Sequence, residues 1–430
     1  MSQRKACRGL IKPIVKRPLM VIISKATEKQ QLLINFLRMF IQRLTTQMNV
    51  LMLVLDSMSH MSYQRLLPKT YAYLKDNLKA AILDGYNIVG DGTLSAFTPI
   101  LTENSTINRG FCFGPRPKYK YIVEYVKDFF KKYSVAPKFT VATIAGLSHA
   151  NNDPVASIDL YLKNFLEDLR ISGYMNNTLL IMMGDHGQRI GKLRYTTQGS
   201  LEERLPMMSL TFPETFRKQY PHLMKNLINN KKRLSTPFDL HETLQSILNI
   251  YNAEKPVKYT DRGISLLNVI PINRTCQSAG IELHWCTCKK YEILNTTDKH
   301  VNQVATYIVS HINQMVQIAD KMCAKLTLKK IYEAKKVYSV VQISKPVASI
   351  DRTEDDTLGV LQYQLTVETA PNNGFYEATV HKVIANNSFS VIGDISRINL
   401  YGDQPNCIIR TYPNLRRYCF CKKTIDTDKH

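Results

Sequence analysis

Three apolar runs in this chain each end in groups that can bind a metal or carry a proton. Asn49-Val-Leu-Met-Leu-Val-Leu-Asp56 ends in a carboxylate, Lys138-Phe-Thr-Val-Ala-Thr-Ile-Ala-Gly-Leu-Ser-His149 in an imidazole, and Thr178-Leu-Leu-Ile-Met-Met-Gly-Asp185-His186 in one of each. Asp56, Asp185 and His186 offer the oxygen and nitrogen donors that zinc or manganese takes, with calcium a third option. A metal held in this way binds an anionic oxygen and lowers the pKa of a coordinated hydroxyl, which turns a poor nucleophile into a competent one. The hydroxyl should come from a rigid loop that opens a helix, where free backbone N–H groups also meet an anionic substrate. Gly90-Asp91-Gly92-Thr93, followed by Leu94, Phe97 and Leu101, supplies such a loop, and Thr93 is the candidate. The expected metal set is therefore Asp56, Thr93, Asp185 and His186.

The elements that must position these groups are readable in the same stretches. An unbroken apolar run reads as a strand buried on both faces, the kind found in parallel sheets. Between the second and third runs, Ile158, Tyr161, Leu162, Phe165, Leu166 and Leu169 recur at helical spacing over 155–171, and Gly173 stands where a C-terminal cap belongs. Strand, helix, glycine, strand is a βαβ unit, expected to form a parallel pair. Ligands of open α/β sheets sit beyond the carboxyl ends of the strands, so the three run ends should share one rim. A helix is expected at 31–43, and another after Thr236 with Asp239 as its cap. Arg204, in Gly-Ser-Leu-Glu-Glu-Arg204, is expected to pair with Glu202 or Glu203 in preference to a substrate anion. Beyond about residue 270 the texture becomes Cys-containing and rich in Thr and Val, as in the segments 337–347 and 361–368. Three parts are expected: a basic N-terminal segment over 1–47, an α/β domain over 48–270, and a Cys-rich α+β domain over 271–430.

The 430 residues allow one large domain and a smaller one, since single cores stop growing near about 250–300 residues. The formal charge of +22 favours anionic partners. The basic runs, such as Lys231-Lys232-Arg233, are short and lack interleaved aromatics, so no nucleic-acid partner is expected. No apolar run is long enough for a membrane span, and Lys12, Pro13, Lys16, Arg17 and Pro18 interrupt the N-terminus before a signal-peptide core forms. Seven of the nine cysteines lie beyond residue 270. Cys286-Thr-Cys288 and Cys419-Phe-Cys421 lack the usual spacing of zinc ligands, so disulfides are expected, in an oxidising compartment, tying the small domain to the larger one. Sequons at Asn104, Asn176, Asn273, Asn295 and Asn386 agree with a glycoprotein, although chance supplies about two or three in such a chain.

The motifs LMLVLDSMSH, YNIVGDGTLSAFTPILT, SHANN, LLIMMGDHGQRIGKLRYTTQGSLEERLP and TPFDLHETL, with HWCTC and YCFC in the tail, resemble the DUF229 family over about residues 49–430. The resemblance implies membership of the alkaline-phosphatase and sulfatase-like superfamily. It implies an alkaline-phosphatase-like α/β/α sandwich with a mostly parallel sheet, plus a smaller Cys-rich α+β domain. It also implies Asp56, Asp185 and His186 as metal ligands, Thr93 as nucleophile, and His149 as a catalytic histidine facing the substrate. Formylglycine sulfatases carry Cys or Ser followed by x-Pro-x-Arg, which Thr93-Leu-Ser-Ala-Phe lacks, so phosphate-ester chemistry is expected ahead of sulfate. The substrate would be an anionic ester, glycan-linked or phospholipid-derived, met outside the cell or in the secretory pathway. Two other classes remain open at this point: an inactive extracellular pseudoenzyme that binds a partner or glycan, and an interaction protein whose Cys-x-Cys pairs hold zinc.

Overall fold

Residues 50, 52 and 54 of the first apolar run point one way and 51, 53 and 55 the other, so a strand without polar interruptions needs apolar cover on both sides. The computed structural model, which describes residues 19–22, 48–90, 112–113, 116–149, 151–249, 262–339 and 359–422, supplies that cover. Strands β1 (Leu19–Ile22), β2 (Asn49–Leu55), β3 (Ala81–Ile82), β4 (Phe139–Ile144), β5 (Thr178–Met183) and β6 (Met208–Thr211) form one sheet in the order β1-β4-β2-β5-β6-β3. The first four in that order run parallel, β6 is antiparallel to β5, and β3 is antiparallel to β6.

Of the helices, α1 (His60–Leu66), α2 (Lys118–Lys132), α3 (Asp159–Ile171), α4 (Thr197–Arg204) and α5 (Pro237–Asn249) belong with this sheet. Val50, Met52 and Val54 pack with Leu240, Leu244 and Ile247 of α5. Leu51, Leu53 and Leu55 pack on the other face with Val126 and Phe130 of α2 and with Leu162, Phe165 and Leu169 of α3. Each such side chain contributes about 1.5–3 kcal/mol by leaving water, which explains why β2 carries no charge before Asp56.

Three local expectations need correction. β4 and β5 are parallel, as a βαβ unit requires, yet β2 lies between them, so they are not a bonded pair. β4 ends at Ile144, and a turn over Ala145–His149, closed by the His149 N–H on the Ala145 carbonyl, carries His149 back to the rim. Asp239 stands three residues past Thr236, inside α5, and its Oδ2 accepts from the Thr236 N–H at 2.7 Å. Thr236 therefore holds the cap position and Asp239 reaches back to it, as the acid of a capping box does. Gly173 is left-handed, with φ 74°, as its place after α3 requires. The expected helix at 31–43 and residues 340–347 lie outside the described residues.

The Cys-rich region folds around a second sheet. β7 (Lys289–Ile293), β8 (Thr327–Ser339), β9 (Val360–Ala370), β10 (Gly374–Val383) and β11 (Ser388–Arg397) pair antiparallel in the order β11-β10-β9-β8-β7. Helix α6 (Lys299–Met315) covers one face, where Val304, Ile308 and Ile312 meet Leu365, Val367, Tyr376 and Ala378. The architecture is thus an α/β/α sandwich with a mostly parallel sheet, joined to a smaller α+β unit.

Disulfides join Cys276 to Cys286, Cys323 to Cys419 and Cys407 to Cys421, while Cys288 is an exposed free thiol. All three bridges join residues beyond 270 to one another, and Cys276–Cys286 packs in a buried cluster with Ile88, Val89 and Leu234. In the chain-entropy account a bridge constrains the unfolded state more as its loop lengthens. Opening Cys323–Cys419, which spans 96 residues, should therefore cost more than opening Cys276–Cys286, which spans 10. The expected losses are about 4–5 and about 3 kcal/mol. Non-reducing peptide mapping together with urea unfolding of the paired Cys→Ser variants checks this; equal losses, or a different pairing, would count against it.

Candidate metal centre

The rim is built by two turns, one after β2 and one after β5. The Asp56 N–H donates to the Ile144 carbonyl at 3.2 Å and keeps Asp56 in line with the strand. Ser57 then takes φ 60°, a left-handed conformation that a serine adopts only at a cost of about 1–3 kcal/mol. That turn points the Ser57 N–H at Asp185 Oδ1, 2.9 Å away, where the His186 N–H also donates at 2.9 Å. The Asn152 amide holds the turn by donating to the Ser57 carbonyl at 3.0 Å.

One donor atom from each of Asp56, Asp185 and His186 lies within 4.8 Å of the other two, and all three residues are buried. His186 Nε2 stands 3.8 Å from Asp56 Oδ1 and 3.5 Å from Asp185 Oδ2. Its Nδ1 lies 2.7 Å from the Gly187 carbonyl, an acceptor, so Nδ1 carries a proton. In the neutral ring this turns the Nε2 lone pair toward two carboxylates, an arrangement that calls for a cation among them. A backbone carbonyl that fixes the tautomer in this way is the partner metal-bound histidines use. The residues present therefore fit a divalent metal.

His149 Nδ1 lies 3.1 Å from Asp56 Oδ2, with the ring 44% exposed. Burial pushes the Asp56 carboxyl up, but the His149 hydrogen bond, the charges of His186 and His149, and the Ser57 hydroxyl outweigh it and hold the group below its ordinary value. The same bond to Asp56 raises His149, against burial and the charge of Arg189. Four of the five expected site residues, Asp56, Asp185, His186 and His149, thus meet at one rim. Thr93 lies outside the described residues. Sequence reasoning passed over Ser57 and Asn152, although Asn152 stands in the SHANN motif, where an amide so near a strand-end histidine was the available signal.

A family model described as a protein of unknown function (DUF229) matches residues 12–109 and 102–332. The chain belongs to the DUF229 family. No curated protein matches its sequence. Solved structures similar to this DUF229 chain include the lipoteichoic acid synthase LtaP from Listeria monocytogenes, at 10% identity and TM-score 0.35, covering 52% of this chain and 76% of that one. An alkaline phosphatase superfamily protein from Vibrio parahaemolyticus is 10% identical with TM-score 0.36, over 80% and 82% of the two chains. The PsFucS1 sulfatase from Pseudoalteromonas sp. is 12% identical with TM-score 0.35, over 80% and 93%. Likenesses at this distance say nothing of activity. The mostly parallel sheet covered on both faces is the alkaline-phosphatase-like arrangement that the sequence resemblance implies.

In this DUF229 chain both turns rest on the end of α4. Gly184 N–H donates to the Met207 carbonyl and Gly187 N–H to the Glu203 carbonyl. A Cβ on Gly184 would fall 2.1 Å from the Met58 carbonyl, and one on Gly187 2.0 Å from the Glu202 carbonyl. The two glycines of Gly-Asp-His-Gly are thus required by close backbone approach. Glu202 accepts from Ser59, Ser62, Arg65 and Gln198, which joins α1 to α4.

Arg204 pairs with neither Glu202 nor Glu203, contrary to expectation. It meets Glu377 of β10, as does Arg194 at 2.9 Å, while Arg194 also holds Glu203 at 2.5 Å. All four side chains are buried, and the two guanidinium charges balance the two carboxylates. Burial pushes Glu377 up, yet Arg194 and Arg204 hold it well below the ordinary carboxylate range. This ionic cluster joins the second sheet to the helix beneath the site. Glu377→Ala leaves the buried Arg204 without its carboxylate and removes one of two from Arg194, and should destabilise the protein by about 3–5 kcal/mol. Glu377→Gln, which keeps an acceptor, should lose less. Urea unfolding followed by the fluorescence of Trp285, the single tryptophan, with its ring 5.6 Å from Arg204, reads the loss; an unchanged midpoint in Glu377→Ala would contradict it.

Proposed function

We propose that this chain is a metal-dependent hydrolase or transferase of the alkaline-phosphatase and sulfatase-like type, acting on a phosphate ester, and less readily a sulfate ester, with Thr93 as nucleophile. The observation that carries the reading is the buried convergence of Asp56, Asp185 and His186 within 4.8 Å at the strand ends. When bound, zinc or manganese would supply there the positive charge that acidifies a hydroxyl and neutralises an ester oxygen.

The remaining work belongs to the chain. Asp56, Asp185 and His186 would hold the ion, and the Ser57 and His186 N–H groups fix the Asp185 carboxylate in place. Thr93 would attack phosphorus: its oxygen forms the new bond as the bond to the ester oxygen breaks, and its proton passes to solvent. Water, or an acceptor hydroxyl in the transferase case, would then displace phosphate from Thr93. His149 keeps its Nδ1 proton on Asp56, and its exposed edge would face the leaving oxygen.

On this reading residues 48–270 form the catalytic domain and 271–430 a bracing domain. The three disulfides support an extracellular or secretory setting. The net charge of +22 supports an anionic ester, glycan-linked or phospholipid-derived, as substrate. Among the described residues no helix is long and apolar enough to cross a membrane.

Thr93→Ala and Asp185→Asn test the division of roles on an aryl phosphate with zinc or manganese. Thr93→Ala should lower turnover about a thousandfold or more while keeping its metal. Asp185→Asn should weaken metal binding by at least about tenfold, the loss that removal of even an outer partner causes, and activity with it. Wild type that binds metal yet turns over neither mono- nor diesters, with Thr93→Ala indistinguishable from it, would replace this reading with the inactive binding protein.

A further inference from the structure

Strand β7 (Lys289–Ile293) stands at the end of the second sheet, paired on one side with β8 through Lys335–Ser339. Among the described residues no strand pairs with its other side, which leaves backbone N–H and C=O groups to which a strand of another chain can add. Lys289, Tyr291 and Ile293 share one face of β7. The first two are half-buried, whereas Ile293 is 78% exposed. Lys290 and Glu292 place their charges on the opposite face. An exposed β-branched apolar residue at the end of an open strand favours edge-to-edge association unless something covers it.

Two residues past Ile293 the chain reads Asn295-Thr296-Thr297, an acceptor sequence for N-linked sugar. Asn295 and Thr297 are both exposed. The Leu294 N–H still donates to the Ala334 carbonyl of β8 at 2.8 Å, and the Asp298 N–H donates to the Asn295 carbonyl at 3.1 Å just before α6, so the asparagine stands on a fixed turn. Its Oδ1 accepts from the Thr297 N–H at 2.9 Å and from the Thr297 hydroxyl at 2.8 Å. Both bonds fall on the oxygen and leave Nδ2, the nitrogen that takes a sugar, out of the turn's hydrogen bonding. The other described sequons are built differently. The Thr178 hydroxyl is buried and donates to the Tyr174 carbonyl, and the Thr275 hydroxyl bonds Ser278. At Asn386 the bond to Oδ1 comes from the Ser388 N–H.

We propose that Asn295 carries an N-linked glycan that covers Ile293 and the open side of β7. The site rests on the secretory setting proposed above. In the transfer, Asn295 Nδ2 forms a bond to the anomeric carbon of a lipid diphosphate-linked oligosaccharide, the carbon–oxygen bond to the diphosphate breaks, and one Nδ2 proton goes to solvent. A hydrated sugar chain beside the last residue of β7 obstructs a second strand while leaving the ladder between β7 and β8 intact.

The test uses the full chain secreted from animal cells behind a cleavable leader. Its peptides are mapped after enzymatic release of N-glycans in heavy-oxygen water, which converts a glycosylated asparagine to a labelled aspartate, and disulfides are mapped on the same sample. Label at Asn295 with the three bridges formed is expected. Thr297→Ala should abolish the label and Thr297→Ser should keep it. Formed bridges with an unlabelled Asn295 overturn the site alone. Free thiols in place of the bridges defeat the secretory setting, and the site with it. Light scattering then reads the cover: release of the glycan from the folded protein should raise the mean mass at least about twofold, as pairing of edges between two copies requires, and Ile293→Lys should prevent the rise. An unchanged mass after release overturns the covering role, as does a glycosylated wild type already associated and separated by Ile293→Lys.

Discussion

Two buried carboxylates, Asp56 and Asp185, are held with donor atoms within 4.8 Å of each other, and much of the rim is built to make that tolerable. At such a distance, with an effective dielectric near 20, their repulsion is about 3 kcal/mol or more. Backbone N–H groups of Ser57 and His186 converge on one oxygen of Asp185, and His149 and the Ser57 hydroxyl meet Asp56. Ser57 accepts a left-handed backbone to make its part of this arrangement. A divalent cation held among the three donors would relieve the repulsion that the protein groups only divide.

The second dependence is mechanical. The turns carrying Asp56 and Asp185 come from different strands; Met58 and Gly184 meet each other and bond Met207 just past α4, and Gly187 bonds Glu203 within α4 and lies against Glu202. Helix α4 is in turn fixed by Arg194 and Arg204 on Glu377, which β10 carries from the second sheet. His284 and Trp285 of the HWCTC motif close over the same cluster, with His284 Nε2 3.8 Å from Glu377 and pushed down to about 3 by burial. The small Cys-rich unit thereby reaches the rim through one helix. Of its disulfides, Cys276–Cys286 packs in a buried cluster with Ile88 of the sandwich.

Much of this was legible in the sequence, for reasons that can be named. The β2 and β5 runs announced buried parallel strands because no polar residue interrupts them, and each ended in a side chain that only a rim could accommodate. Gly173 marked its own left-handed turn. Strand order was not legible: the apolar pattern of β2 says that both faces are covered but not that β2 lies between β4 and β5. Ser57 was missed because left-handed backbone is signalled by glycine or asparagine, and serine carries no such mark. Glu377 was missed because its partners lie 183 and 173 residues away, and nothing in the local context of a glutamate names a distant arginine. The Asp239 position was recoverable, since Thr236-Pro237-Phe238-Asp239 reads as a capping-box pattern with proline at the first helical position.

The account stands or falls on one ion in one place. Crystals of the full-length chain grown with zinc or manganese, with anomalous differences collected at the metal edge, locate it directly. The account predicts a single peak at the rim, about 2.0–2.2 Å from a carboxylate oxygen of Asp56, a carboxylate oxygen of Asp185 and His186 Nε2. A metal-loaded protein whose peak lies elsewhere, such as among Cys323, Cys407 and Cys419, or whose rim holds no peak while these three side chains keep their mutual contacts, would contradict it.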